Sequence, residues 1–231
     1  MTEILKHPVV QVTITLVLYA LINRLYNKIH FFLFNPLILA AALVMGVYWL
    51  AGIDYETYNN GGRIITFFLG PATVALGVPL YRQLPVIRAN MMPILLGVIT
   101  GAITAVISTL LIARSLGAGR YTLYSLAAKS TTMPIALGIT EKLGGNDKLI
   151  VFAVAVTGIF GGMVGPEVMK LFRIRSRIAV GIGIGTASHA GGTSRAILVG
   201  EVEGSMSGAA IVLTGLVTAL LAPLLVKWLV Q

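Results

Sequence analysis

The sequence contains no cysteine, and only 11% of its residues carry a charge. Without cysteine, disulfides, thiolate metal sites and cysteine nucleophiles are excluded. The scarcity of charge excludes the solvated surface of a water-soluble domain. The apolar segments also lack paired aspartates, a GxSxG serine and an HExxH motif, which are the groups that an intramembrane hydrolase would use. We therefore predict no enzymatic activity, no catalytic residues, no cofactor and no metal site.

The sequence is instead rich in apolar residues, which make up 57% of its 231 positions. The segments without Asp, Glu, Lys or Arg lie at 7–23, 31–53, 64–81, 89–113, 149–166, 178–194 and 204–226, and an eighth, 121–140, contains only Lys129. A helix needs about 20 such residues to cross a membrane. Continuous apolar runs argue against a β-barrel, whose strands alternate. We predict an all-α polytopic membrane protein with about eight transmembrane segments, forming a single integral membrane domain over residues 1–231.

The formal net charge of +9 lies in short breaks between these segments, where basic residues set orientation and meet anionic lipid. We therefore expect a lipid bilayer as partner and no nucleic acid. With eight segments, nine Lys and Arg lie on the side of both termini and six on the other. The positive-inside rule places both termini in the cytoplasm. The Arg-rich loop 173–177 decides this result, since the first half of the chain alone gives the opposite orientation.

An offset of 57 residues aligns three arginines and three Thr-Gly pairs. These are Arg63, Arg120 and Arg177, and the pairs at 100–101, 157–158 and 214–215. Internal repeats are a common way to build transporters around a central site. The offset predicts weak repeats of two helices each.

The third segment contains Pro71 and Pro79, which remove main-chain hydrogen bonds. In lipid, a freed carbonyl or amide costs several kcal/mol unless protein or water satisfies it. We expect an interrupted helix that faces the protein interior and presents the Thr73 hydroxyl to a substrate. The alternative is a proline kink that serves packing alone.

The fifth segment places Lys129 near its centre, where a lysine costs roughly 2.5 to 3.5 kcal/mol on insertion scales. Ser130, Thr131, Thr132 and Pro134 follow closely. An unwound turn here would present hydroxyls and amides beside a cation, a combination suited to a small anion. The alternatives are that Lys129 pairs with a buried carboxylate or extends to the membrane surface.

The seventh segment, 178–194, is the most polar and the richest in glycine. Gly181 and Gly185 form a small-xxx-small face that allows another helix to approach closely. His189 is a candidate proton carrier because histidine titrates near neutral pH. Its alternative role is a hydrogen bond to a neighbouring carbonyl.

The same segment contains Gly191 and Gly192, which we expect to break the helix. A new half-helix would then begin near Thr193 and Arg195, and its free amides would hold a carboxylate or phosphate. Ser188 lies just before the break and completes this candidate site. The alternative role of Arg195 is to anchor the end of the segment at the membrane surface.

Six motifs resemble the LrgB/CidB family of bacterial membrane proteins. They are FNPL at 34–37, LGPATVAL at 69–76, PLY at 79–81, KSTTMPIA at 129–136, TG at 157–158 and GTASHAGGT at 185–193. The resemblance covers residues 30 to 225 and implies a bacterial inner-membrane protein with a small partner of the LrgA/CidA type. It implies either a transporter of small carboxylates or a holin/antiholin-like regulator of murein hydrolase export and cell lysis.

We predict a secondary transporter of small monocarboxylates of the pyruvate, glycolate or glycerate class, with a proton as candidate coupling ion. The interior cation and the breakable helices favour this function over the lysis regulator, which stays the alternative. A homo-oligomer is consistent with the sequence.

Overall fold

The computed structural model describes residues 2–29, 36–75, 77–82 and 84–230. These ranges contain helices and short connections, with no strand among them. The all-α prediction is therefore confirmed. The chain divides into two compact units, Met1–Ala75 and Leu76–Gln231. The single-domain organisation and the 57-residue repeat stay predictions.

The described residues of the first unit form five helices. They are α1 (Thr2–Lys6), α2 (Pro8–Ile29), α3 (Pro36–Leu50), α4 (Tyr55–Phe67) and α5 (Leu69–Ala75). Helix α2 contacts both α3 and α4, and the core includes Val44, Tyr48 and Ile53. Gln11 is fully buried, and hydrogen bonds compensate for the loss of its contact with water. Its amide donates to the Thr57 carbonyl at 3.0 Å, and its oxygen accepts from the Gly61 amide at 2.7 Å.

The second unit contains eight described helices. They are α6 (Gly77–Arg82), α7 (Leu84–Ala89), α8 (Met91–Ser115), α9 (Arg120–Leu126), α10 (Met133–Leu143), α11 (Asp147–Leu171), α12 (Arg177–Val199) and α13 (Glu201–Val230). Helix α12 contacts α8, α11 and α13, so its side chains are surrounded on several sides. Among the described residues, three apolar clusters lie in this unit, around Leu110 and Ile150, around Ile94 and Met206, and around Val180 and Ile184.

Glycines determine how closely α12 approaches α13. A Cβ at Gly181 would lie 2.5 Å from the Glu203 carbonyl oxygen, and one at Gly185 would lie 2.9 Å from the Ala210 Cβ. Real Cβ atoms do not approach backbone this closely, so the two helices can pack here only because glycine has no side chain. The close approach predicted from Gly181 and Gly185 is confirmed.

Four described helices are long and apolar enough to cross a membrane by length and composition. They are Pro8–Tyr26, Met91–Ser115, Asp147–Leu171 and Glu201–Val230. A shorter apolar helix lies at Leu39–Leu50. The protein is thus a membrane protein, while the count of eight segments stays a prediction. Helix α12 has 23 residues, but its hydroxyls, histidine and glycines make it less apolar than these four.

Candidate functional site

A cleft of about 480 Å³ lies in the second unit between α8, α12 and the connection from α9 to α10. Its lining residues are Gly97, Thr100, Gly101, Thr104, Ala105, Lys129, Ser130, Gly183, Thr186 and Ala187. Small residues on α8 and α12 leave this volume unfilled. Lys129 is the single charged residue among the described residues of this lining.

The backbone leaves the helical conformation just where Lys129 occurs. Helix α9 ends at Leu126 and α10 begins at Met133, with Pro134 in its first turn. Proline is tolerated there because the first amides of a helix have no partner within the helix. Thr132 is extended, with φ −70° and ψ 152°, and precedes α10 as its N-cap residue. The predicted unwound turn coincides with this connection, which we call the α9–α10 linker (127–132).

Lys129 is half-buried and lacks an acidic partner among the residues that the structure describes. Its Nζ lies 3.3 Å from the Ser130 hydroxyl oxygen. In the described part of the chain, the ion pairs are Lys6–Glu3, Lys170–Glu167 and Arg177–Glu203, and none involves Lys129. A partly buried ammonium without a counter-ion attracts an anion, because burial weakens the solvation that would otherwise stabilise its charge.

The cleft also contains hydroxyls that the sequence analysis does not select. Thr100 donates to the Leu96 carbonyl at 2.7 Å, and Thr186 accepts from Thr214 at 3.2 Å. Thr104 lines the same cleft. The Thr-Gly pair at 100–101 was visible in the sequence as part of the 57-residue pattern, but only the packing of α8 against α12 relates it to Lys129.

Two other predicted hydroxyls, both on the linker, differ in their hydrogen bonds. Thr131 is buried and donates to the Ala128 carbonyl at 2.9 Å. The Thr132 hydroxyl is also buried, and it has no hydrogen-bond partner among the described residues. A buried hydroxyl without a partner costs about 1–3 kcal/mol. Neither threonine is among the residues that line the cleft, so their role in binding a substrate stays a prediction.

Helix α12 is kinked at His189, whose φ of 43° and ψ of −137° are not helical. The His189 Nε2 lies 3.0 Å from the Val154 carbonyl oxygen, and the ring rests on Gly158, where a Cβ would lie 2.6 Å from its Cε1. This contact matches the alternative role of His189, a hydrogen bond to a neighbouring carbonyl, and its role as a proton carrier stays a prediction. The kink is thus held by a contact with α11.

The prediction that Gly191 and Gly192 break α12 is wrong, because both are helical and the break lies at His189. The two glycines serve close packing instead. A Cβ on Gly191 would clash with the carbonyl of Gly158 on α11, and one on Gly192 would lie 2.6 Å from the Ser188 Cβ. The sequence pattern identified small residues but not which neighbour required them.

Ser188 and Thr193 lie in helix contacts, and neither they nor Arg195 line the cleft. Ser188 is buried against Gly161. Thr193 donates to the His189 carbonyl at 2.9 Å, so Ser207 is the donor of the 2.7 Å bond between the two hydroxyls. Arg195 is half-buried.

The prolines of the third segment lie within short helices, Pro71 in α5 and Pro79 in α6. Pro71 and Val74 are exposed, in contrast with the interior position that we expected for this segment. The expectation followed from the freed main-chain groups alone, which do not determine whether another helix covers them. The side chains of Thr73 and Pro79 lie outside the described part of the structure.

Comparison with known proteins identifies the family. The LrgB-like family model matches residues 15–228. The protein YwbG of Bacillus subtilis (strain 168) is 35% identical over 221 residues, which cover 96% of this chain and 98% of YwbG. The antiholin-like protein LrgB of Bacillus cereus (strain B4264) is 33% identical over 225 residues, covering 96% of this chain and 97% of that protein.

An antiholin-like protein LrgB of Bacillus anthracis (strain CDC 684 / NRRL 3495) matches with the same identity and coverage. No solved structure matches this chain. The family match extends over most of the chain, including the linker with Lys129 and the kinked helix α12. This membrane protein therefore belongs to the LrgB-like family.

Proposed function

We propose that this protein moves small carboxylate anions across the bacterial inner membrane, with Lys129 as the cation that binds them. The observation that carries the proposal is the half-buried Lys129, which lines a cleft of about 480 Å³ and has no acidic partner in the described part of the chain. A carboxylate there gains charge-assisted hydrogen bonds, which are about twice as strong as neutral ones.

The size and lining of the cleft support a small, partly polar substrate. A volume of about 480 Å³ lies within the usual range of small-molecule sites, and the hydroxyls of Ser130, Thr104 and Thr186 supply polar contacts. Because Lys129 is the one cation in the lining, the site suits a single carboxylate better than a dianion. Pyruvate, glycolate and glycerate fit this description.

The second candidate is regulation of murein hydrolase export and cell lysis. It is favoured by the printed name of the Bacillus cereus relative, antiholin-like protein LrgB. The relatives' names support this candidate more directly than transport, which rests on the cleft. Both candidates involve a partner of the LrgA type and an inner-membrane location, which we propose on the same resemblance. Cytoplasmic termini are proposed from the distribution of Lys and Arg between the loops.

Uptake measurements in proteoliposomes separate the candidates. The purified full chain is reconstituted and supplied with labelled pyruvate, glycolate or glycerate, while an encapsulated dye reports nonselective leakage. Transport predicts saturable uptake without dye release. Dye release together with unsaturable entry of all three anions would contradict the proposal and favour a pore.

The role of Lys129 is tested with Lys129→Ala against Lys142→Ala, which removes an exposed lysine from the end of α10. We expect Lys129→Ala to lose roughly tenfold to a hundredfold in apparent affinity, since a hydrogen bond to a charged group contributes about 1.5–3 kcal/mol. Lys142→Ala should transport normally. Normal uptake by Lys129→Ala at normal expression would remove Lys129 from the site.

A lysis assay completes the comparison. Cells lacking the gene are complemented with the natural chain or with Lys129→Ala, and their autolysis rates are measured. If both restore the natural rate although Lys129→Ala does not transport, lysis control is independent of the cleft and the second candidate is the protein's cellular role.

A further inference from the structure

The turn between α11 and α12 concentrates cations at the end of a candidate membrane span. Helix α11 ends at Leu171, the last residue of the span Asp147–Leu171. The cations of the turn and its flanks are Lys170, Arg173, Arg175 and Arg177, and all four are exposed. We call residues 170–177 the basic turn.

Only part of this charge is neutralised within the protein. Lys170 pairs with Glu167 at 3.0 Å, and the Arg177 Nε lies 3.9 Å from the Glu203 carboxylate. Among the described residues, Arg173 and Arg175 have no ion pair. Two guanidinium groups are therefore available to bind an anion outside the protein.

Arg173 occupies a backbone position that glycine fills at comparable helix ends. Its φ is 54°, and its amide donates to the Lys170 carbonyl at 2.9 Å while the next amide bonds to the Met169 carbonyl at 3.0 Å. The same pair of bonds follows α3, α8 and α10, where the left-handed residues are Gly52, Gly117 and Gly144. A side chain is disfavoured in this conformation. The backbone conformation at position 173 therefore favours glycine and does not explain the presence of an arginine.

Apolar side chains alternate with the free arginines. Leu171 is 77% exposed, Phe172 is 72% exposed and Ile174 is 39% exposed. A surface that combines exposed apolar groups with cations at the end of a membrane span matches the chemistry of the membrane interface. There, apolar groups enter the acyl boundary and cations meet lipid phosphates.

We propose that the basic turn binds the phosphate groups of anionic phospholipids through Arg173 and Arg175. Leu171, Phe172 and Ile174 enter the adjacent apolar layer and hold the turn at that depth. An acidic soluble protein would use the arginines but would leave the apolar side chains unexplained, so the lipid is the better match. This inference is independent of what passes through the cleft.

The test is a titration of the detergent-solubilised full chain with short-chain phosphatidylglycerol, with thermal unfolding as the readout. Short-chain phosphatidylcholine and inorganic phosphate are parallel arms. The variant Arg173→Gln/Arg175→Gln is compared with Lys142→Gln/Lys148→Gln, which removes the same charge from the end of α10 and the start of α11. We expect the arginine variant to lose roughly thirtyfold in apparent affinity for phosphatidylglycerol, since each cation near an anionic surface contributes about fivefold.

The variant Arg173→Gly should change the stability of the protein and its response to phosphatidylglycerol in opposite directions. Arg173→Gly should raise the unfolding temperature in phosphatidylcholine, because glycine accepts the left-handed conformation, and should reduce the added stabilisation by phosphatidylglycerol. Equal stabilisation of the natural chain by the two lipids, or by inorganic phosphate and phosphatidylglycerol, would overturn the proposal. Unchanged phosphatidylglycerol affinity in the double arginine variant, combined with loss of cellular function, would indicate a protein partner instead and would also overturn it.

Discussion

The second unit contains two places where a helical path is interrupted by polar residues, and their polar groups have different fates. In the α9–α10 linker, Lys129 and Ser130 line a cleft. At the kink of α12, His189 contacts the Val154 carbonyl and Thr193 is bonded to Ser207. The sequence motifs are similar in character, yet of the two only the linker presents polar side chains to a cleft in the described part of the structure.

Small residues contribute both to the cleft beside the linker and to the close helix packing at the kink. Between α11 and α12, Gly158 and Gly191 bring the two backbones together, so no volume remains between them. Around the linker, Gly97, Ala105 and Ala187 line the cleft, and a Cβ at Gly97 would make only an ordinary contact with Ile182 at 3.5 Å. A glycine therefore indicates either a close contact or a cleft, and the position of the facing helix decides which one forms.

The largest expected effect is loss of stability when the close contact is forced apart. Gly191→Ala places a Cβ against the carbonyl of Gly158, which belongs to rigid helical backbone and cannot move aside. We expect a loss of about 3 kcal/mol, the upper end for overpacked interiors. Thermal unfolding of the purified protein measures it.

Gly138→Ala is the matched control for this substitution. Gly138 lies in α10, and a Cβ there meets nothing within 4 Å. Alanine should stabilise α10 by about 0.5–1 kcal/mol, because it restricts the unfolded chain more than glycine does. Equal responses of the two variants would mean that the glycine contact does not hold the kink.

The next effect concerns the cleft. Ala105→Phe should fill much of its volume and reduce carboxylate uptake at least about tenfold, which corresponds to roughly 1.4 kcal/mol. Because Ala105 faces space, the unfolding temperature should change little. Labelled uptake and thermal unfolding are measured on the same preparation. Full uptake by a folded Ala105→Phe protein would place the transport path elsewhere.

A smaller effect isolates the backbone strain at the kink. His189→Ala and His189→Gly both remove the contact with Val154, but only glycine relaxes the positive φ of 43°. We expect His189→Gly to be more stable than His189→Ala by about 1 kcal/mol, the lower limit for a strained residue. Denaturant unfolding resolves the difference. Equal stability would show that the kink carries no strain.

The smallest effect compares two neighbouring hydroxyls of the linker. Thr132→Val removes a buried hydroxyl without a partner and should raise stability slightly, by less than about 1 kcal/mol, while weakening carboxylate binding. Thr131→Val breaks the bond to the Ala128 carbonyl and should lower stability. Unfolding temperature and uptake affinity are measured for both. A Thr132→Val protein with unchanged affinity would show that this hydroxyl does not bind substrate.

The sequence by itself determined the all-helical membrane class and drew attention to residues 129–134. Both follow from local chemistry: long apolar runs require helices in lipid, and a lysine followed by hydroxyls and a proline disfavours a regular helix. It also identified Gly181 and Gly185 as a packing face, since their spacing places them on one side of a helix.

Only the tertiary structure decided which groups share a site. Thr100, Thr104 and Thr186 join Lys129 because α8 and α12 pack beside the linker, and no local pattern indicates that contact. The kink lies at His189 and not at Gly191, because the Val154 carbonyl and the glycine face of α11 hold the histidine in place. Local residue types limit the conformations available to a segment, but partners distant in the sequence select among them.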